Sequence, residues 1–229
     1  MPVTAISRRT CLGSSFDRLL YRTRVLRPGD QVQRLVDQVL LPDLLPGDIM
    51  LLSSRAVSAC QGRLLPLASA ESSRLAVALS AIWRRLASEA PLGCPAVMQA
   101  ALEQDGVATM AGSVLSHFWR KARGEAAAYP RSGFRGLLRT GSPTDLALYR
   151  GQLILPPRSP EQLVTELWKR TGYRAAIVAV RQPGEVQIAA LSPGLSPEYI
   201  RALVLDNPLG AGDQQTPIAI LRKRRKEER

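Results

Sequence analysis

From Ser159 to Leu221 the sequence alternates between helical and extended patterns, and this constrains the fold more than any other feature. Ser159-Pro160 opens a helix through Arg170, with Leu163, Val164 and Leu167 on its inner face and Thr171-Gly172 as its stop. Ala175 to Val180 reads as a buried strand. Gln182 to Glu185 is a turn, and Val186 to Leu191 is the hairpin partner. Pro197 starts another helix, running to about Leu205, and Pro217 to Leu221 is a terminal strand.

The first half gives a looser version of the same pattern. Arg18 to Arg27 suggests an early strand. Asp30 and Gln33 form a capping-box pair for a helix from Gln31 to Leu41, which Pro42 stops. Ile49 to Leu52 is a short buried strand. Leu64 to Leu67 is an edge strand, because Pro66 cannot donate to a ladder. Ser72 to Ala90 is the clearest helix, with Leu75, Leu79, Ile82 and Leu86 as its expected core stripe. Pro95 to Glu103 and Val114 to Ala122 read as helical, Gly124 to Thr140 as an extended or mobile segment. Leu146 to Tyr149 and Leu153 to Leu155 read as strands.

With 229 residues, 45% of them hydrophobic, the chain can bury a core as one large domain or two interlocked lobes. Its longest apolar run, Leu75 to Trp83, is broken by Ser80 and falls far short of the roughly 20 residues of a membrane span. The expected partition is a flexible N-terminus (1–17), one domain (18–221) and a basic tail (222–229). Ser7-Arg8-Arg9-Thr10-Cys11-Leu12 has the look of a twin-arginine export signal, but no apolar segment follows it. The expected location is therefore the cytoplasm, with no membrane contact.

The net charge is +12, from 31 Lys and Arg against 19 Asp and Glu. Lys121, Lys169, Lys223 and Lys226 are the only lysines, so arginine supplies the rest. Two readings stand side by side: the arginine-rich vocabulary of a GC-rich genome, or affinity for a phosphate-bearing partner. The tail Arg222 to Arg229 carries six basic and two acidic residues, has no apolar side chain, and is expected to be exposed and mobile. It could make nonspecific, salt-sensitive contacts with nucleic acid.

Cys11, Cys60 and Cys94 are far apart, which fits a reducing compartment and excludes a cysteine-rich zinc site. His117 is the only histidine, set among apolar neighbours, and reads as structural.

Two segments carry chemistry. Pro46-Gly47-Asp48 leads into the Ile49–Leu52 strand and on through Ser53, Ser54 and Arg55 to Gln61-Gly62-Arg63. Hydroxyls, exposed N–H groups and Arg at one strand end make an anion cradle. The second segment, Asp206-Asn207-Pro208-Leu209-Gly210-Ala211-Gly212-Asp213-Gln214-Gln215-Thr216-Pro217-Ile218, sets many hydrogen-bonding side chains between a helix and a strand. Loops of that kind on a rigid scaffold commonly bind ligands. The two segments are expected to meet in space, with Arg55 and Asp213 on the same face.

Taken in order, these segments resemble the coenzyme F-420 gamma-glutamyl ligase family, and most closely its divergent bacterial branch. The resemblance implies a mixed α/β fold (α+β) in two lobes, with mixed sheets flanked by helices, and a homodimer. It implies GTP with Mg²⁺ or Mn²⁺ as cofactors, and GTP-dependent ligation of glutamate through an acyl phosphate. It also implies nucleotide or phosphate contacts at Ser54, Arg55, Gly62, Arg63, Gly210, Gly212, Asp213, Gln214, Gln215 and Thr216, with Asp213 as a metal ligand. The family's first motif has two lysines where this chain has Arg55 and Ala59, and Ala211 and Gln214 stand at polar or acidic positions of its second. Arginine can clamp phosphate where carboxylates are too few to organise two metals. Two functions follow as expectations. One is a ligase-like protein that binds a nucleotide or phosphorylated metabolite. The other is a non-catalytic homologue whose basic surface binds nucleic acid or a protein partner.

Overall fold

A computed structural model describes residues 3–66, 71–86, 91–123, 147–149, 152–180, 186–210 and 214–224. The protein is mixed α/β, with seven α-helices, a six-stranded sheet and a two-stranded sheet among these residues. It divides into two compact units. One comprises Met1–Arg63, Thr144–Arg150 and Pro157–Arg229; the other comprises Leu64–Pro143 and Gly151–Pro156.

The first unit holds the large sheet. In chain order its strands are β1 (Ala5–Cys11), β2 (Ser14–Tyr21), β3 (Ile49–Ser53), β6 (Arg174–Val180), β7 (Val186–Leu191) and β8 (Ile218–Lys223). Across the sheet the order is β1-β2-β8-β3-β6-β7. Only β3 and β6 run parallel, with Leu51 opposite Ala176. Every other pair is antiparallel, so this is a mixed sheet.

Period-two alternation sorts the apolar side chains onto two faces. Met50, Leu52, Ala175, Ile177, Ile218 and Ile220 share one core with Val36 and Leu40, and with Leu163, Val164 and Leu167. The first pair of covering residues lies in the stretch where α1 (Val32–Leu35) runs into a π-turn (Val36–Leu40). The second group lies on α6 (Pro160–Thr171). Ile49, Leu51, Ala176, Val178, Ala219 and Leu221 face the other way, onto Ile200, Leu203 and Val204 of α7 (Pro197–Val204). β3 is buried on both sides, which is why its sequence is a continuous apolar run.

The second unit packs α3 (Arg74–Leu86), α4 (Pro95–Asp105) and α5 (Val107–Ala122) around Trp83, Met98 and Met110. β4 (Leu64–Pro66) pairs with β5 (Gln152–Ile154) beside them. On α3 the buried stripe is Ala76, Leu79, Ser80 and Trp83. Leu75 and Ile82, expected in the core, are exposed. Trp83 has the largest side chain on the helix, and its burial rotates the inner face by about one position.

Both ends of the chain correct the sequence reading. The N-terminus is not a flexible 1–17 segment: β1 and β2 form a hairpin joined by Leu12 and Gly13. Both of these residues have positive φ (50° and 70°), the twist that a two-residue hairpin loop requires. Leucine is an unusual residue there, so the turn had no Asn-Gly signature. The basic tail does not begin at 222. Arg222 and Lys223 belong to β8, and the Arg224 N–H donates to Ser15 O at 2.9 Å.

Arg222 also closes a buried ion pair. Its Nη2 lies 2.7 Å from Asp48 Oδ2 and 2.6 Å from Asp43 O, and Asp48 is only 4% exposed. Apolar residues are therefore not needed to hold this end in place. Smaller differences are local. The Asp30 carboxylate accepts from the Arg27 N–H and Arg24 Nη2 instead of capping α1. Residues 147–149 are a 3-10 turn rather than a strand. Gly124 to Thr140 lies outside the described residues, as do Arg225 to Arg229.

Arg222→Ala leaves Asp48 buried without its cation, and should lower unfolding free energy by roughly 3 kcal/mol in urea titrations. Truncation after Leu221 should lower the melting temperature by several degrees, whereas truncation after Arg224 should leave it unchanged. Equal stability of the two truncated chains would show that Arg222 is not structural.

Candidate functional site

β3 ends at Ser53, and α2 (Ser54–Cys60) follows without a linker. β8 runs antiparallel beside it, with Leu52 opposite Ile218, so the loop before β8 arrives at this same sheet end. The Ser53 N–H donates to Pro217 O at 2.8 Å, and the Thr23 N–H to Gln215 O at 2.9 Å. The first of these bonds joins the two motif segments, distant in sequence, and the second ties the loop to the chain just past the end of β2. The segments meet at the C-terminal ends of the parallel strands, where open α/β sheets commonly take ligands. Asp213, one half of the expected Arg55–Asp213 juxtaposition, lies outside the described residues.

The loop is anchored at its start by charge. Arg18, 3% exposed on β2, donates to both Asp206 oxygens, at 2.5 and 2.9 Å, and to Leu203 O at 3.1 Å. Arg9 adds bonds to Ala202 O at 2.5 Å and to Asp206 Oδ1 at 3.2 Å. Two guanidinium groups therefore satisfy the last carbonyls of α7 and fix the first residue of the loop. Their positive charge, above all the Arg18 hydrogen bond, holds the Asp206 carboxyl below the usual carboxylate range.

Beyond Asp206 the backbone turns tightly. Asn207, Gly210 and Gln215 have φ of 55°, 74° and 51°. The Gly210 N–H donates to Asn207 O, and the Thr216 hydroxyl to Leu209 O at 3.0 Å. A Cβ at Gly210 would fall on the Gln214 carboxamide, so that glycine is what lets Gln214 fold back over the turn.

Gln214, Thr216, Asn207, Arg22 and Thr4 line a groove of about 460 Å³ beside this loop. The Arg22 N–H donates to the Thr4 hydroxyl. The Arg22 guanidinium is exposed and has no hydrogen-bond or ion-pair partner among the described residues.

The structure distributes the expected site residues unevenly. Gln214 and Thr216 face this groove. Gln215 acts through its backbone, and Gly210 through the space it leaves. Ser54 is buried at the start of α2, and Arg55 is half-buried on the same helix. Gly62, at φ 66°, and Arg63 follow α2 and do not line the groove. There the Gln61 carboxamide makes a reciprocal pair with Arg158, donating to its carbonyl at 3.0 Å and accepting from its N–H at 2.7 Å. Burial, then the nearby Arg158 guanidinium, holds the Arg63 pKa below its ordinary value. Gly212 and Asp213 lie outside the described residues. Sequence reasoning missed Arg22 and Thr4, whose only signal is their place at the β1–β2 end of the sheet.

This donor set suits an anion. Among the described residues no three His, Cys, Asp or Glu side chains could share a metal ion, and Asp206 is committed to Arg18. Asp213, the metal ligand that the resemblance implies, lies outside the described residues. The cysteines are free, and burial pushes the Cys60 thiol up to about 11, leaving it protonated at neutral pH. No described helix is long and apolar enough to cross a membrane. No protein-family model matches the chain, and no curated protein matches it.

A carboxyl with its folded pKa lowered stabilises the fold above its unfolded value, about 3.9, and that stabilisation fades as pH falls through the folded value. Asp206→Asn should therefore reduce stability at pH 7, because Arg18 stays buried without its counter-charge. It should also shrink the loss of stability on acidification below about pH 4. Urea midpoints at neutral and acid pH test this. An unchanged acid limb would show that Asp206 does not contribute to it.

Proposed function

We propose that the protein recognises a phosphorylated small molecule, a nucleotide or a phosphorylated metabolite, in the groove that the 206–216 loop builds at the end of the six-stranded sheet. The carrying observation is the Arg22 guanidinium. It has no partner among the described residues, and Arg22 lines a groove with Gln214, Asn207 and Thr216, whose hydroxyl is given to Leu209 O. Such a set offers a fork of N–H donors to phosphate oxygens and neutral amides to the rest of the ligand.

The motif resemblance makes GTP the first nucleotide to try, and glutamyl ligation the reaction to assay. It also supports a cytoplasmic homodimer.

Thermal denaturation with millimolar GTP, ATP or pyrophosphate tests the reading. A ligand at about 100 times its Kd adds roughly 2.7 kcal/mol, an upward shift of several degrees for a chain of this size. Arg22→Ala should remove most of that shift without lowering the melting temperature of the free protein. Gln214→Ala should weaken it. If no phosphate compound raises the melting temperature, and RNA binds with a steep salt dependence, the basic-surface alternative takes its place.

A further inference from the structure

The opposite end of the same sheet holds a second groove, of about 880 Å³, which the 206–216 loop does not reach and to which the first motif contributes only its Pro46-Gly47-Asp48-Ile49 start. It opens where β3 and β6 begin, between the turns that carry Gly47, Gly172 and Gly194. All three glycines have positive φ (91°, 76° and 80°), so the backbone bends sharply away and leaves the strand ends open.

Arg174, the first residue of β6, lies in this groove and is exposed. A Cβ at Gly194 would sit 3.3 Å from Arg174 Nη2 and 3.4 Å from Cζ, so the guanidinium lies flat along the glycine turn. It has no hydrogen-bond or ion-pair partner among the described residues. The other charges nearby are already matched. Asp48 is bound by Arg222, and Glu198 accepts from the Ser196 hydroxyl and faces Arg201 at 3.7 Å.

Two tyrosines stand among the lining residues. Tyr173 donates its hydroxyl to Leu44 O at 3.3 Å, which fixes its ring. Tyr199 is held edge-on to Phe16, with ring centroids 5.9 Å apart, and its hydroxyl has no partner among the described residues. One uncompensated guanidinium balances one negative charge. A polyphosphate would leave surplus negative charge next to buried Asp48, whereas a carboxylate can take the planar fork bidentately.

We propose that this groove binds a small monocarboxylate with an aromatic or apolar body, its carboxylate on Arg174 and its body against Tyr173 and Tyr199. The site is separate from the phosphate-binding groove and does not depend on it.

The test uses fluorine NMR of 4-fluorobenzoate with the full-length protein, and 4-fluorobenzyl alcohol as the uncharged control. The wild type should broaden the benzoate signal and leave the alcohol sharp. Arg174→Gln should weaken benzoate binding at least about tenfold, the scale of a charge-assisted hydrogen bond. It should do so at unchanged melting temperature, since the guanidinium holds nothing else among the described residues. Arg22→Ala should bind benzoate as the wild type does. Inorganic phosphate should not displace it. Absence of binding by the wild type, equal binding of the alcohol, wild-type affinity in Arg174→Gln, loss of binding in Arg22→Ala or displacement by phosphate would each overturn the proposal.

Discussion

Arg18 determines more of the candidate site than any residue that lines it. The side chain is 3% exposed, and a buried guanidinium is tolerable only if its donors are satisfied. Ser7, Leu203 O and both Asp206 oxygens meet that demand from β1, from the end of α7 and from the start of the 206–216 loop. One side chain thereby ties a hairpin, a helix terminus and a loop together. Lysine could not do this, because its three donors radiate from a point and cannot form the planar pair with Asp206.

The sheet then gives its two ends different chemistry. β3 and β6 are parallel and central, so their C-terminal ends face the loop that precedes β8, while their N-terminal ends face three glycine turns. At the first end Asn207, Gln214 and Thr216 line a groove with Arg22. At the second Tyr173 and Tyr199 line one with Arg174. Hydrophobic burial on both faces of β3 fixes the strand positions, and the polar groups at each end inherit their places from that packing.

Much of this was legible in the sequence, for identifiable reasons. The alternation from Ser159 onward located α6, β6, β7 and α7 within a residue or two, because Pro at the first helical turn and Gly after the last are strong punctuation. The meeting of the two motifs was also legible, since both flank buried strands. Other features depended on partners that no local pattern shows. Whether Arg222 belongs to a tail or a strand turns on Asp48, far away in sequence. Ser7 and Arg9 look like a frayed, basic end until Arg18, Asp206 and a carbonyl of α7 stand opposite them. On α3, the leucine pattern pointed to Leu75 and Ile82, but the single large ring of Trp83 decided which face turned inward.

The same partners bear on the charge excess. Genome vocabulary and phosphate affinity are not the only uses for arginine in this chain. Arg9, Arg18 and Arg222 bind backbone carbonyls as well as carboxylates, and Arg170 spans from α6 to Asp37 and Gln33 O. Arg9, Arg18 and Arg222 thereby satisfy helix and loop carbonyls at buried or part-buried positions. A positive net charge can therefore arise because each such joint needs a fork of several donors, while one carboxylate and two or three carbonyls are enough to accept them. What distinguishes Arg22 and Arg174 is that neither is used in this way. Among the described residues both guanidinium groups are left unmatched, each in a groove at one end of the sheet.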